Sequence, residues 1–399
     1  MERGLDPLAT RLVVADPERT EKTICLAITP AMKALGIRNR CRVFEIPKSV
    51  DYIMATPRMH LYMEYSARIY GIYLKYLSKE DIHVYSVDES FLDVTDYLKM
   101  YNMTAKELGI RIMEDIYETT GITATCGIGT NLYLTKVALD ITAKHVPDHI
   151  GILNEKEYCR TMWDHLPLTD FWMIGHGTER HLAKYGIHTM YDIAHANEDF
   201  LYREFGVDAE LLIDHAWGRE STTMADIKRY RPKSHSLTSG QVLPRDYTYD
   251  EGLLLMKEMA DLLCLKMCTQ DLVTPSVTIT IGYSRSSGLG YSTGTAMLSQ
   301  ETNLSRLVLP KVEEVYSRVA IPDAPIRQVG MCMNKVTPEG CRQLSLFDDS
   351  VQLEKERSLQ KTVASLQKRY GRNAVLRGMN LEEGGRTIER NGQIGGHRA

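Results

Sequence analysis

Apolar positions along the chain recur in two periods, and the two alternate. Leu12-Val13-Val14-Ala15 and Ile24-Cys25-Leu26-Ala27-Ile28 are continuous apolar runs of strand length. Thr29-Pro30 then opens a helix, because proline tolerates the first helical position, and Gly36 ends it. Leu61, Tyr65, Ile69, Ile72 and Tyr76 sit at helical spacing, which predicts an amphipathic helix over 58–78. Residues 82–87, Ile-His-Val-Tyr-Ser-Val, alternate as a strand. Leu108, Ile112 and Ile116 mark a helix over 104–119, Thr123 to Ile128 a second strand, and Asn131 to Lys144 a further helix. This β-α-β-α order predicts an α/β unit.

The pattern then changes. Residues 165–220 read as helical throughout, with a glycine turn at Ile174-Gly175-His176-Gly177-Thr178, a close at Gly186-Ile187 and a helix cap at Thr189. Residues 221–240 are polar and basic and read as a linker. Residues 241–336 return to mixed periods: a strongly apolar helix from Asp250 to Cys268, an alternating strand from Val277 to Tyr283, a Ser/Gly turn from Arg285 to Gly290, a helix from Thr302 to Val319 and a strand from Ile326 to Met333. Beyond Val336 the chain is polar, apart from a modest amphipathic helix over 353–370 that reads as packing.

A length of 399 residues allows two to four domains, and 43% hydrophobic content suits a soluble globular chain. No apolar run reaches about 18 residues, so no membrane span is expected. Met1-Glu2-Arg3-Gly4-Leu5 carries no export pattern, and a cytoplasmic protein is expected. The eight cysteines form no CxxC pair, which excludes zinc ribbons and dithiol redox motifs. Cys264 and Cys268 share a helix face and read as small buried apolar residues. The net charge of −4 means that any nucleic-acid contact must come from local basic patches. Candidates are Arg38-Arg40-Arg42, then Lys228, Arg229, Arg231 and Lys233, and last Arg386, Arg390 and Arg398.

The sharpest chemical feature is Tyr85-Ser86-Val87-Asp88-Glu89-Ser90-Phe91-Leu92-Asp93-Val94. Adjacent carboxylates at a strand end repel each other. A divalent cation relieves that repulsion, and Mg²⁺ takes one or two carboxylates together with substrate phosphates. On residue types alone the pair is either a metal site or two solvated turn acids.

This wording resembles the second acidic motif of the Y-family DNA polymerases, S-x-D-E-S/A-F-L-D. The resemblance implies that Asp88 is a ligand of the catalytic metals and that Glu89 supports the site at the primer 3′ end, with two Mg²⁺ ions as cofactors. It continues through Cys126-Gly127-Ile128-Gly129-Thr130-Asn131 to Lys136 and then Ala143-Lys144, similar to the family's S-x-G-I-x-x-N-K-x-x-A-K stretch and its following lysine. Leu132 stands where the family usually has lysine. Lys144 would contact the triphosphate of the incoming nucleotide. Thr29-Pro30-Ala31-Met32-Lys33-Ala34-Leu35-Gly36-Ile37 resembles the finger helix of the UmuC/ImpB-type bacterial branch, which would turn Lys33 to the nucleotide phosphates. Gly175, His176, Gly177 and Thr178 resemble the thumb helix-hairpin-helix, a sequence-independent grip on DNA phosphate. Gln343-Leu344-Ser345-Leu346-Phe347 is similar to the bacterial sliding-clamp-binding peptide, with Gln343, Leu344, Leu346 and Phe347 as its contacts.

The fold implied is a multidomain α+β right hand: fingers at 1–66, an α/β palm at 67–164, a helical thumb with a helix-hairpin-helix at 165–225, a linker at 226–240, an α+β little finger at 241–338 and a tail with the clamp peptide at 339–399. The function implied is template-directed translesion DNA synthesis in SOS-type damage tolerance. The partners are primer-template and damaged DNA, deoxynucleoside triphosphates, the sliding clamp and SOS accessory proteins. One departure stands out. Family members begin with a strand carrying a first catalytic Asp and a steric-gate aromatic, and Met1-Glu2-Arg3-Gly4-Leu5-Asp6-Pro7 matches a position just beyond them. A start site assigned too far downstream is the expectation. The rival is a truncated, noncatalytic homologue that binds DNA and the clamp, and a two-metal nuclease is the remote third reading.

Overall fold

The computed structural model describes residues 4–232, 234–340 and 350–399. The clamp-like peptide, with Gln343, Leu344, Leu346 and Phe347, lies outside the described residues. The chain divides into two compact units, one of residues 61–231 and the other of residues 1–60 with 232–399.

In the first segment of the second-named unit, strand β1 (Leu12–Val14) lies between antiparallel β2 (Ala27–Ile28) and parallel β3 (Ile53–Ala55). Val13, Cys25, Met32 and Cys41 fill the small core beneath this sheet. Helix α1 (Pro30–Lys33) has Thr29 as N-cap and proline in its first turn, as the sequence predicts, and Gly36 follows with φ +81°. The helix is a single turn, and it turns Met32 into the core.

The unit of residues 61–231 carries the acidic pair. Helix α2 (Met59–Tyr73) leads to a hairpin of β4 (Ile82–Val84) and β5 (Ser90–Leu92), in register Ile82↔Leu92 and Val84↔Ser90. Helices α3 (Thr95–Tyr101) and α4 (Ala105–Thr120) follow. Thr104 accepts from the Glu107 amide while Glu107 reaches back, a capping box that starts α4 where the sequence places it. Leu108, Ile112 and Ile116 of α4 pack on Ile72 of α2. Strand β6 (Cys126–Gly129) pairs in parallel with β7 (Ile150–Leu153). Between them run α5 (Leu132–Val137), a π-helical turn over Ala138–Thr142 and a 3₁₀ turn over Ala143–His145.

Three glycines set how closely that helical run lies on its strands. A Cβ on Gly127 would come within 2.2 Å of the Thr135 carbonyl oxygen, one on Gly129 within 2.4 Å of the Thr135 nitrogen, and one on Gly151 within 2.2 Å of the Ala138 carbonyl oxygen. Backbone therefore rests on backbone, with no side chain between.

Helices α6 (Glu155–Thr161), α7 (His176–Ala183), α8 (Met190–His195), α9 (Glu198–Phe205) and α10 (Asp208–Ala216) enclose a core of Leu182, Met190, Ile193, Leu201 and Ala209. The stretch read as a linker is structured instead. Helix α11 (Met224–Arg229) starts at a Thr223 capping box, and Lys228 Nζ donates to the carbonyls of Ile82 at 2.6 Å and Lys79 at 3.1 Å. One lysine of that basic patch is thereby committed to capping the β4 end.

The second segment of the other unit is a four-stranded antiparallel sheet in the order β10-β9-β11-β8, from β8 (His235–Tyr247), β9 (Leu272–Tyr283), β10 (Tyr291–Thr302) and β11 (Ile326–Pro338). Helices α12 (Tyr249–Thr269) and α13 (Ser305–Val319) cover one face. Strand β8 begins inside the expected linker. Cys264 and Cys268 of α12 are buried, as read from the sequence. Helix α14 (Ser350–Tyr370) packs on α12, and the final residues continue that layer. There Glu258 of α12 is 2% exposed and accepts from Asn380 Nδ2 at 2.9 Å and from the Arg386 amide at 2.8 Å. Asp261 accepts from Ser305 Oγ and pairs with Arg377 Nε, each at 2.7 Å.

Candidate functional site

The acidic pair sits on the tight turn that joins β4 to β5. The amides of Tyr85 and Ser86 both donate to the Glu89 carbonyl, at 3.0 and 3.1 Å, and fold the turn. Ser86 Oγ donates to Asp88 Oδ1 at 2.7 Å, and the Asp88 side chain stands in solvent. Glu89 is half-buried and takes a different partner. Lys136 Nζ, on α5, lies 2.8 Å from Glu89 Oε1. The same ammonium lies 3.0 Å from Asp140 Oδ2, and Lys144 Nζ reaches Asp140 Oδ1 at 3.2 Å. Acid and base thus alternate, Glu89–Lys136–Asp140–Lys144.

The Lys136 side chain is 8% exposed. Burial pulls its pKa down, but hydrogen bonds to Glu89 and Asp140 outweigh that and hold it above the ordinary lysine value. The Tyr85 ring faces the ammonium at 5.7 Å, and Trp172 Nε1 donates to the Tyr85 hydroxyl at 3.0 Å. Phe91 packs edge-on against Tyr85 at 5.7 Å. Asn131 caps α5 by accepting from the Leu134 amide at 2.8 Å and donates to the Gly218 carbonyl at 2.9 Å.

The glycine turn is where the sequence places it. Gly175 is the N-cap of α7, His176 begins the helix and is exposed, and Gly177 and Thr178 complete the first turn. A Cβ at Gly175 or Gly177 would meet nothing within 4 Å, so neither glycine is required by close packing within the protein. The element before it is a 3₁₀ turn over Leu168–Asp170 rather than a full helix. Lys33 is exposed at the end of α1, in the other unit.

The structure therefore brings Asp88, Glu89 and Lys144 into one neighbourhood of one unit. Sequence reasoning gave Lys136 and Asp140 no role. Their signal was the spacing of four that links Lys136, Asp140 and Lys144 along one helical run. For a cation, the donor set is carboxylate oxygen from Asp88 and Glu89, and no cluster of three or more potential ligands occurs among the described residues. A set of two carboxylates suits a hard ion that completes its shell with substrate phosphates and water.

Comparison with known proteins agrees with this architecture. A solved Y-family DNA polymerase chimera of Dbh and Dpo4 superposes with a TM-score of 0.61 at 19% identity, covering 82% of this chain and 92% of that one. The fold is that of a Y-family DNA polymerase, a right hand ending in a little finger. The impB/mucB/samB family matches residues 1–140, and its C-terminal domain matches residues 234–346. The chain belongs to the impB/mucB/samB family. Its relatives include UvrX of Bacillus subtilis, described as a UV-damage repair protein, at 28% identity over 99% of this chain and 93% of the relative. DNA polymerase IV 2 of the same organism is 28% identical over 97% of this chain and 92% of its own length. DNA polymerase IV of Moorella thermoacetica is 28% identical over 96% and 94%.

Proposed function

We propose that the protein is a DNA-directed DNA polymerase that copies damaged template in damage tolerance, a reading supported by relatives named as a UV-damage repair protein and as DNA polymerase IV. The observation that carries this reading is the Asp88–Glu89 pair on the β4–β5 turn in a chain of this family. The reaction joins the primer 3′-oxygen to the α-phosphorus of a deoxynucleoside triphosphate and releases pyrophosphate. Asp88 and Glu89 are the residues that would hold magnesium, which when bound neutralises charge on the transferring phosphates.

The remaining work falls to this chain's own groups. Lys144, exposed and tethered by Asp140, supplies a point charge for the triphosphate. Lys33 does the same from α1. The amides at the start of α7, with Gly175, His176, Gly177 and Thr178, receive a DNA phosphate without reading sequence. Gln343, Leu344, Leu346 and Phe347 bind the sliding clamp as an extended peptide. No helix among the described residues is long and apolar enough to cross a membrane.

The test is extension of a labelled primer on undamaged and lesion-bearing templates with magnesium and all four deoxynucleotides. The proposal expects incorporation opposite the lesion by the wild-type chain. DNA binding with no nucleotide added on either template would favour the noncatalytic reading.

A further inference from the structure

The buried lysine between the two acids has a function beyond neutralising them. We propose that Lys136 is a positioning residue for Glu89, and that Asp140 is the second anchor that holds the Lys136 ammonium in place. This rests on the reading of the Asp88–Glu89 turn as the site of nucleotide addition.

Glu89 sits at the end of the turn of a two-stranded hairpin, where each strand has a single partner strand among the described residues to hold it. Lys136 springs from α5, whose backbone lies directly on β6. Its neighbour Thr135 lies against Gly127 and Gly129 so closely that no Cβ fits between. The cation therefore reaches from a seated helix across 2.8 Å to a carboxylate whose backbone is tied by the Tyr85 and Ser86 amides but whose side chain has, among the described residues, no anchor other than Lys136 to set its direction. A buried charge is costly unless paired, so Lys136 constrains Glu89 more strongly than a surface lysine would. Tyr85, held by Trp172, lies against the ammonium from a third direction.

Asp140 gives the arrangement its second property. Its Oδ2 stays 3.0 Å from Lys136 while its Oδ1 takes Lys144 at 3.2 Å. If Glu89 turns toward a substrate or ion, Lys136 keeps one carboxylate and is not stranded. Exchange of partners is then cheaper than breaking an isolated buried pair. The π-helical turn that carries Asp140 keeps its carboxylate within reach of both lysines.

The experiment uses the full chain and four variants: Lys136→Met, Lys136→Arg, Asp140→Asn and Glu89→Gln, with the double variant Lys136→Met/Glu89→Gln. Steady-state single-nucleotide incorporation gives kcat and the KM for deoxynucleotide. Urea unfolding without metal gives an activity-independent readout of the same pairs. Lys136→Met should lower kcat by about tenfold or more, with KM for nucleotide within about twofold of wild type. Lys136→Arg should recover most of the loss, and the double variant should be no slower than Glu89→Gln alone. In unfolding, Lys136→Met and Glu89→Gln should be non-additive. Asp140→Asn should act in the same direction as Lys136→Met and less strongly.

A normal kcat for folded Lys136→Met, a loss carried wholly by KM, or additive effects in both assays would overturn the proposal. If Lys136→Met does not fold, Lys136→Arg and Asp140→Asn decide it by the same kcat and KM criteria. A wild-type chain that binds DNA but adds no nucleotide would defeat the polymerase reading and with it the positioning role. The unfolding cycle would then report the contact alone.

Discussion

Asp88 and Glu89 are neighbours in sequence but differ in circumstance. Asp88 is solvated and held by Ser86, whereas Glu89 is drawn inward by Lys136. The adjacency was legible in the sequence, because two acids in a row before an apolar strand invite an explanation. The asymmetry was not legible, because it depends on a lysine 47 positions away. Lys144 was legible as a triphosphate contact only through the resemblance, since its residue type alone reads as a helix-end lysine; its tether to Asp140 needs the fold. At this scale, Lys144→Ala should raise the KM for deoxynucleotide about tenfold with a smaller change in kcat. Measuring incorporation across a nucleotide titration checks this, and an unchanged KM would remove Lys144 from the triphosphate.

The helices announced themselves through spacing and their first residues, and Thr104 and Thr189, read as helix starts, both form capping boxes; the Thr248 box that starts α12 went unread. The sheet was half-visible. Central β9 and β11 carry alternating apolar residues, but β8 and β10 are edge strands, rich in Ser, Thr and Gly with a solvent-facing side, and give little apolar signal. Gly127 and Gly129 read as strand ends, whereas their use is to seat α5. Gly151→Ala should therefore destabilise the unit by more than about 3 kcal/mol, since its Cβ would meet backbone rather than a flexible side chain. Urea denaturation would show it. A second prediction concerns the start of α12. The Arg245 guanidinium beside Glu251, helped by the Thr248 amide, holds the Glu251 pKa down at about 2, against an ordinary 4.5. A lowered folded-state pKa contributes stability above the unfolded value and loses it as the pH falls. Glu251→Gln should lower Tm at pH 7, with the difference from wild type shrinking below about pH 4.5 and vanishing near pH 2. A constant difference across that window would contradict it.

On the scale of the whole chain, the last residues are more than a tail. Glu258 and Asp261 are buried on α12, where a solvated tail would leave them as unpaired charges. They are satisfied by Asn380, Arg377 and the backbone at Arg386, so the C-terminal segment completes the helical layer. This was not legible beforehand, since acids on an otherwise apolar helix are readable only once their partners are placed. Glu258→Ala should cost about 3 kcal/mol by urea unfolding, because several donors lose a charged acceptor. Removal of residues 371–399 should destabilise the same unit. At net charge −4, DNA affinity must come from local patches and should fall steeply with salt.

If nucleotides are joined at the β4–β5 turn, Asp88 governs the rate of incorporation and not the binding of DNA. Single-turnover incorporation of one deoxynucleotide opposite a lesion, by wild type and by Asp88→Asn at matched DNA occupancy, tests this most directly. The variant should bind primer-template as tightly as wild type while its rate falls by about a hundredfold. Equal rates for the two proteins would contradict it.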